Sequence, residues 1–294
     1  MDTEFRRWRI GRIQVTRINE LGPVPIDVHH LLPAATPEDV KAQAWLAPRF
    51  ATETGQIMLN FQCFLVEADG RRILVDTCIG DHKQLQNPGF SGRVSGFLET
   101  LKRAGAGPDD VDTVLCTHLH FDHVGWNTQL VDGAWRPTFP KARYLFGRDE
   151  LAFAGGETPE EGDSHFAQSV QPILDAGLAD LVAGDHAICP GVRLVPTPGH
   201  TPGHVSVWLE SEGEEGVISG DAVHHPLQFA RPEFASGFCH DPALSCVTRR
   251  SLLSRLEDGP VLFIGTHFCE PTAGRVRKDG AAWRFEAVEP ALTP

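Results

Sequence analysis

Apolar and polar side chains alternate over residues 60–66 and again over 72–76 with Asp69-Gly70 between them, which predicts a β-hairpin closed by a two-residue turn. Over 93–104 the spacing becomes helical: Val94, Phe97, Leu98 and Leu101 fall on one face, and Gly105 supplies a stop. A short apolar strand at 113–116 follows, with further runs at 192–195, 217–219 and 261–264. Each leads within a few residues to a side chain that binds metals: His118, His200, Asp221 and His267. Open sheets place their ligands at such carboxyl ends of strands. Residues 164–176 and 241–256 carry helical spacing, the second with Asp241 as cap and Pro242 in its first turn. Strand 142–146 holds Tyr144 as a core residue, the acidic run 210–215 is a solvated hairpin tip, and the residues after 270 form a strand pair around Asp279-Gly280. Strands alternating with helices predict an α/β chain of mixed layers sharing one site.

No linker or repeat divides the chain, so residues 1–294 are expected to form a single domain. The segment 22–55, rich in proline and poor in periodicity, is an excursion that fits a lid, a dimer arm or an irregular connection equally. A hydrophobic content of 41% allows a sizeable core. No apolar run reaches the roughly 18 residues that span a bilayer. The N-terminus Met1-Asp-Thr-Glu-Phe-Arg-Arg7 has charges where a signal peptide needs apolar residues, so a cytoplasmic chain without a membrane partner is expected. The net charge of -13 disfavours nucleic acid as a partner. Seven scattered cysteines without a C-x-x-C pair predict reduced, mostly buried thiols.

The chemistry concentrates in Thr117-His-Leu-His-Phe-Asp-His123. His118 and His120 alternate to one side of an extended segment, and Asp122 and His123 follow where the chain turns. Three histidines and an aspartate at these offsets arise by chance in roughly one chain in several hundred, which makes accident a poor explanation. Imidazoles and carboxylates in this number suit zinc, with iron and manganese next.

This run, followed at a distance by His200, Asp221 and His267, resembles the His-x-His-x-Asp-His signature of the metallo-β-lactamase superfamily, over roughly residues 57 to 270. The resemblance implies a four-layer αββα sandwich with a metal pair at its edge. It implies that His118, His120 and His200 hold one divalent ion, that Asp122, His123 and His267 hold the other, and that Asp221 bridges them. Zn2+ leads among the candidates, with Mn2+, Co2+ and Fe2+ as alternatives. Asp76, ending Ile73-Leu-Val-Asp76, either orients a ligand from behind or is a turn aspartate.

Within the superfamily, residues 220–232 and 265–268 look most like the methyl parathion hydrolase branch, which neighbours the quorum-quenching lactonases. Those lactonases place a tyrosine three residues after the bridging aspartate, where this chain has His224. The resemblance implies a dinuclear hydrolase that attacks an ester or lactone through a hydroxide bridging the metals. Asp221 and Asp122 are its catalytic carboxylates, Asp122 either passing a proton to the leaving group or acting as a ligand alone. Phosphotriester hydrolysis of the methyl parathion hydrolase type and persulfide-dioxygenase chemistry on one iron are the rival readings. Phe121, Trp126, His224, His225, Phe229 and Phe268 each lie within a few residues of a ligand and are expected to line a pocket for a small hydrophobic ester or lactone. His225 is the best placed for substrate contact. His204 is expected to make a local hydrogen bond. The resemblance and the 22–55 excursion together suggest a homodimer.

Overall fold

The computed structural model describes residues 5–156 and 165–289. Its first nine strands are β1 (Phe5–Ile10), β2 (Ile13–Ile26), β3 (Ile57–Ala68), β4 (Arg71–Val75), β5 (Thr113–Leu115), β6 (Thr128–Val131), β7 (Ala134–Pro137), β8 (Arg143–Gly147) and β9 (Ala179–Val182). Seven join in the order β1-β2-β3-β4-β5-β8-β9, while β6 and β7 form a separate hairpin. Pairing is antiparallel as far as β4 and parallel from β4 to β9. The second sheet runs in chain order through β10 (Ala187–Cys189), β11 (Val192–Pro196), β12 (Val205–Ser211), β13 (Glu214–Ile218), β14 (Leu262–Ile264), β15 (Ala273–Asp279) and β16 (Ala282–Ala287).

The two-residue period of each strand builds the layers. Phe64 and Val66 of β3 face inward to meet Val205, Val207 and Leu209 of β12, together with Ile218 and Ile264, in the core between the sheets. Cys63 and Leu65 face outward beneath Phe97, Leu101 and Ala104 of the helix Phe97–Ala104. On the far side Trp208, Val217, Phe263 and Phe285 lie under Leu252, Leu253 and Leu256 of the helix Pro242–Leu256. The result is helix, sheet, sheet, helix, as the resemblance implies.

Several local expectations hold in detail. Asp69 and Gly70 take positive φ between β3 and β4, Glu212 and Gly213 do the same at the acidic tip, and the Asp241 side chain accepts from the Leu244 amide. Others change. The first amphipathic helix begins at Phe97 instead of 93: the Ser95 amide is bound by the Asp81 carboxylate at 2.7 Å, and Val94 is 68% exposed. The helix expected over 164–176 divides into His165–Ser169 and Gln171–Asp175, because Pro172 has no amide to continue the ladder; position 164 lies outside the described residues.

The excursion is shorter and better packed than its composition suggests. β2 continues to Ile26, and the helices Val28–Leu31 and Pro37–Lys41 follow, the second opened by a capping box between Thr36 and Asp39. Val28, Leu31, Leu32, Val40, Leu46 and Phe50 are buried on the outer face of the second sheet. Helices of four and five residues are too short to print a period on the sequence. No helix among the described residues is long and apolar enough to cross a membrane.

Candidate metal centre

The ends of β4 and β5 are fixed to each other by one carboxylate. Asp76 follows β4 with φ 59, a left-handed turn position, and its Oδ1 accepts from the amide and hydroxyl of Thr117 at 2.8 and 3.0 Å. Its Oδ2 lies 3.0 Å from His123 Nδ1. Asp76 is therefore both a turn aspartate and the residue that orients the His123 ring. The helix Phe121–Val124 turns the chain directly after His120, which brings Asp122 and His123 back towards His118.

Four overlapping groups of ligand-type atoms result among the described residues, the atoms of each within 4.8 Å of one another: His118-His120-His200 and Asp122-His123-His267, which share no residue, and His118-His123-Asp221 and His200-Asp221-His224, which join through Asp221. In the first, His118 Nε2 and His200 Nε2 approach His120 Nδ1 at 3.0 and 2.9 Å. In the second, Asp122 Oδ2 stands 3.9 Å from His123 Nε2 and 3.7 Å from His267 Nε2. Asp221 lies between the groups. Its Oδ2 is 3.3 Å from His200 Nε2 and 3.7 Å from His118 Nε2, whereas its Oδ1 is 3.3 Å from His123 Nε2 and 3.1 Å from His267 Nε2.

The outer ring atoms are held by the protein. His118 Nδ1 meets Thr117 Oγ1 at 3.2 Å, His267 Nδ1 donates to the Asn60 carbonyl at 2.9 Å, and His200 Nδ1 meets Cys239 Sγ at 3.5 Å. His204 makes its expected local bond to Thr197 but also does more: its Nε2 accepts from the Asp221 amide at 2.8 Å and so aims that carboxylate.

Burial and neighbouring charges act against each other in the charge states. Burial pushes the His118 and His200 imidazoles well below their usual range and His120 down to about 4. It is also the largest single effect on His123 and His267 and opposes their charge, but the carboxylates together outweigh it, Asp221, Asp76 and Asp122 at His123 and Asp221 with Asp122 at His267, and both rings are raised. Burial would raise Asp221, yet His123, His267 and His224 hold it well below the carboxylate range.

Several buried atoms here have no hydrogen-bond partner: His123 Nε2, Asp221 Oδ1 and both ring nitrogens of His224. Each such atom costs about 1 to 3 kcal/mol if left unpaired. Cations within the two groups would satisfy His123 Nε2 and Asp221 Oδ1, and a set of imidazoles and carboxylates fits zinc-type ions.

The expected pocket residues separate. Phe121 is half-buried, with its ring 5.4 Å from Phe90; Phe90 lies 5.0 Å from Phe61, which stands 5.5 Å from the His267 ring. His224 Nε2 is 3.2 Å from Asp221 Oδ2. The structure places the other four in packed surroundings. Phe229 and Phe268 are 0% exposed and pack with Phe263 and Phe285 in the outer core, because consecutive residues 267 and 268 point to opposite sides. Trp126 stacks on Phe97 at 5.3 Å and donates from Nε1 to Glu20 at 2.6 Å. His225 uses both ring nitrogens structurally: one bonds the Phe50 carbonyl at 2.8 Å and the other accepts from the Leu227 amide at 3.1 Å. Phe61, Phe90 and Glu150 escape the sequence reading because each lies far along the chain from the nearest ligand; Glu150, buried beneath both ligand loops, carries no spacing signal.

The model of the metallo-beta-lactamase superfamily matches residues 62–267. The N-acyl homoserine lactonase AiiA of Bacillus thuringiensis subsp. kurstaki is 31% identical over 217 residues, covering 69% of this chain and 79% of the relative. Among solved structures, hydrolase AbOPH of the beta lactamase superfamily superposes with a TM-score of 0.79 at 25% identity, covering 98% of this chain and 99% of that one. AidC, a dizinc quorum-quenching lactonase solved with a product, gives 0.79 at 19% identity over 99% of this chain and 98% of its own, a likeness of fold. A matched family signature that folds into two histidine groups about one aspartate leads to one conclusion: the chain belongs to the metallo-beta-lactamase superfamily.

Proposed function

We propose that this protein is a dinuclear metal-dependent hydrolase that opens an ester or lactone bond, with acyl-homoserine lactones as the leading substrate class. The observation that carries the reading is Asp221, whose two oxygens each face a different histidine group. His118, His120 and His200 would hold one divalent ion, Asp122, His123 and His267 the other, and Asp221 would touch both. When bound, such ions, zinc by the donor set, supply an activated water and a Lewis acid for the carbonyl oxygen.

The chain's own residues do the rest. His204 and Asp76 fix Asp221 and His123 from behind, so that little reorganisation accompanies reaction. Phe61, Phe90 and Phe121 form an apolar wall that excludes water and receives an acyl chain. His224, kept neutral by burial, offers an N–H to the substrate oxygen from the position where lactonases carry tyrosine. Asp122 would take the proton that the attacking water releases and pass it to the alkoxide as the ring C–O bond breaks. The 31% identity to a lactonase supports a lactone substrate. His224 favours the second reading, a phosphotriesterase, because it departs from the lactonase tyrosine.

Plasma mass spectrometry of the purified chain, beside hydrolysis of an acyl lactone, an aryl ester and a phosphotriester, tests the proposal. Two zinc-type ions per chain and lactone turnover that chelation abolishes are expected. One iron per chain without hydrolysis would overturn it.

A further inference from the structure

We infer that Glu150 is a positioning residue that clamps the His118–His120 loop to the His200 loop and thereby sets the affinity of the first ion. Glu150 lies in the helix Arg148–Ala154, directly after β8, and is 2% exposed. Its Oε1 accepts from the Leu119 amide at 2.9 Å, between the two histidines of the first loop. Its Oε2 accepts from Thr201 Oγ1 at 2.6 Å and from the Gly203 amide at 3.2 Å, immediately after His200. These loops leave different sheets, β5 in one and β11 in the other, so the carboxylate spans the edge of the sandwich.

The approach is close enough to need glycine: a Cβ at Gly203 would stand 2.2 Å from the Glu150 amide nitrogen. Charge-assisted bonds of this kind are about twice as strong as neutral ones. Every histidine of the first group is bonded to, or is the chain neighbour of, a residue that Glu150 holds. No ligand of the second group is; His123 depends on Asp76 and His267 on Asn60. Glu150 should therefore act on one ion and leave the other alone.

The inference rests on the proposed two-ion reading, and its test separates the two. The full-length chain is stripped with chelator and titrated with cobalt(II), reading ions per chain, the visible spectrum of each bound ion and the melting temperature of the apo form. The variants are Glu150→Gln, Thr201→Val and Thr201→Ser. For Glu150→Gln one ion is expected to weaken by roughly 10- to 100-fold while the other keeps its affinity and spectrum. Thr201→Ser, which keeps the hydroxyl, should match wild type, with Thr201→Val in between. Unchanged affinity for both ions in Glu150→Gln, or equal weakening of both, would overturn the inference, as would Thr201→Ser behaving like Thr201→Val. If Glu150→Gln does not fold, the Thr201 pair decides alone. A wild type that takes up a single ion defeats the two-ion reading, and Glu150→Gln then decides this inference by whether that ion is weakened.

Discussion

The two histidine groups face one carboxylate and are held in different ways. Around His118, His120 and His200 the rings are neutral through burial, and the supports for His118 and His200 are a hydroxyl and a thiol. Around His123 and His267 the rings are raised by nearby carboxylates, and His123 rests on the fully buried Asp76. A carboxylate behind an imidazole raises its basicity and fixes its tautomer, whereas a thiol at 3.5 Å does little of either. The contrast teaches that near-symmetric ligand groups can be supported unequally, by a buried carboxylate behind His123 and by a hydroxyl and a thiol behind His118 and His200.

The heaviest blow to this contrast removes what the groups share. Asp221→Ala should empty both and lower kcat/KM on the order of 10²- to 10³-fold or more. Metal content and turnover measured together check it, and turnover that survives metal loss would break the scheme. Phe268→Ala separates the two sides of the His267 loop: it should cost about 3 to 5 kcal/mol in denaturant unfolding and leave KM unchanged. Asp76→Asn sharpens the comparison directly, because it should weaken the ion held by His123 by roughly 10- to 100-fold in a metal titration and leave the other unchanged. Phe90→Ala should raise KM by roughly 3- to 10-fold for long acyl chains over short ones, with little change in melting.

The smallest effect concerns pH and lies away from both groups. Burial lowers the His225 pKa to about 4, so the folded chain binds fewer protons there than the unfolded one. Its contribution is complete above the unfolded value near 6.5 and is lost as pH falls towards 4, at about 1.4 kcal/mol per pH unit within that window. Unfolding measured from pH 7 to 4.5 should show a shallower acid loss in His225→Gln.

The signs that survive in the sequence are those that repeat over short distances. The run from Thr117 to His123 predicts its own convergence, since four ligands lie within six residues, and the strand-end rule points to His200, Asp221 and His267. The layers follow from alternation in strands such as β3 and β12. Nearness along the chain misleads for Phe268 and Trp126: Phe268 follows His267 directly and so points to the opposite side, into the core, whereas Trp126 sits in the turn Gly125–Asn127 after the ligand helix and stacks on Phe97. Glu150, Phe61 and Phe90 are invisible for the converse reason, as their partners lie tens of residues away and no periodicity joins them. The packed helices of the 28–41 stretch are likewise too brief to leave a rhythm.

Asp221 belongs to the second sheet's half of the chain, and two of the atoms it faces belong to the first's, so ions seated on both sides of it would stitch the layers at their rim. Such a stitch bears load in shear. Pulling one sheet past the other would then have to rupture metal–ligand bonds before the apolar interior could slide, and the same chain stripped of its ions would yield at lower force.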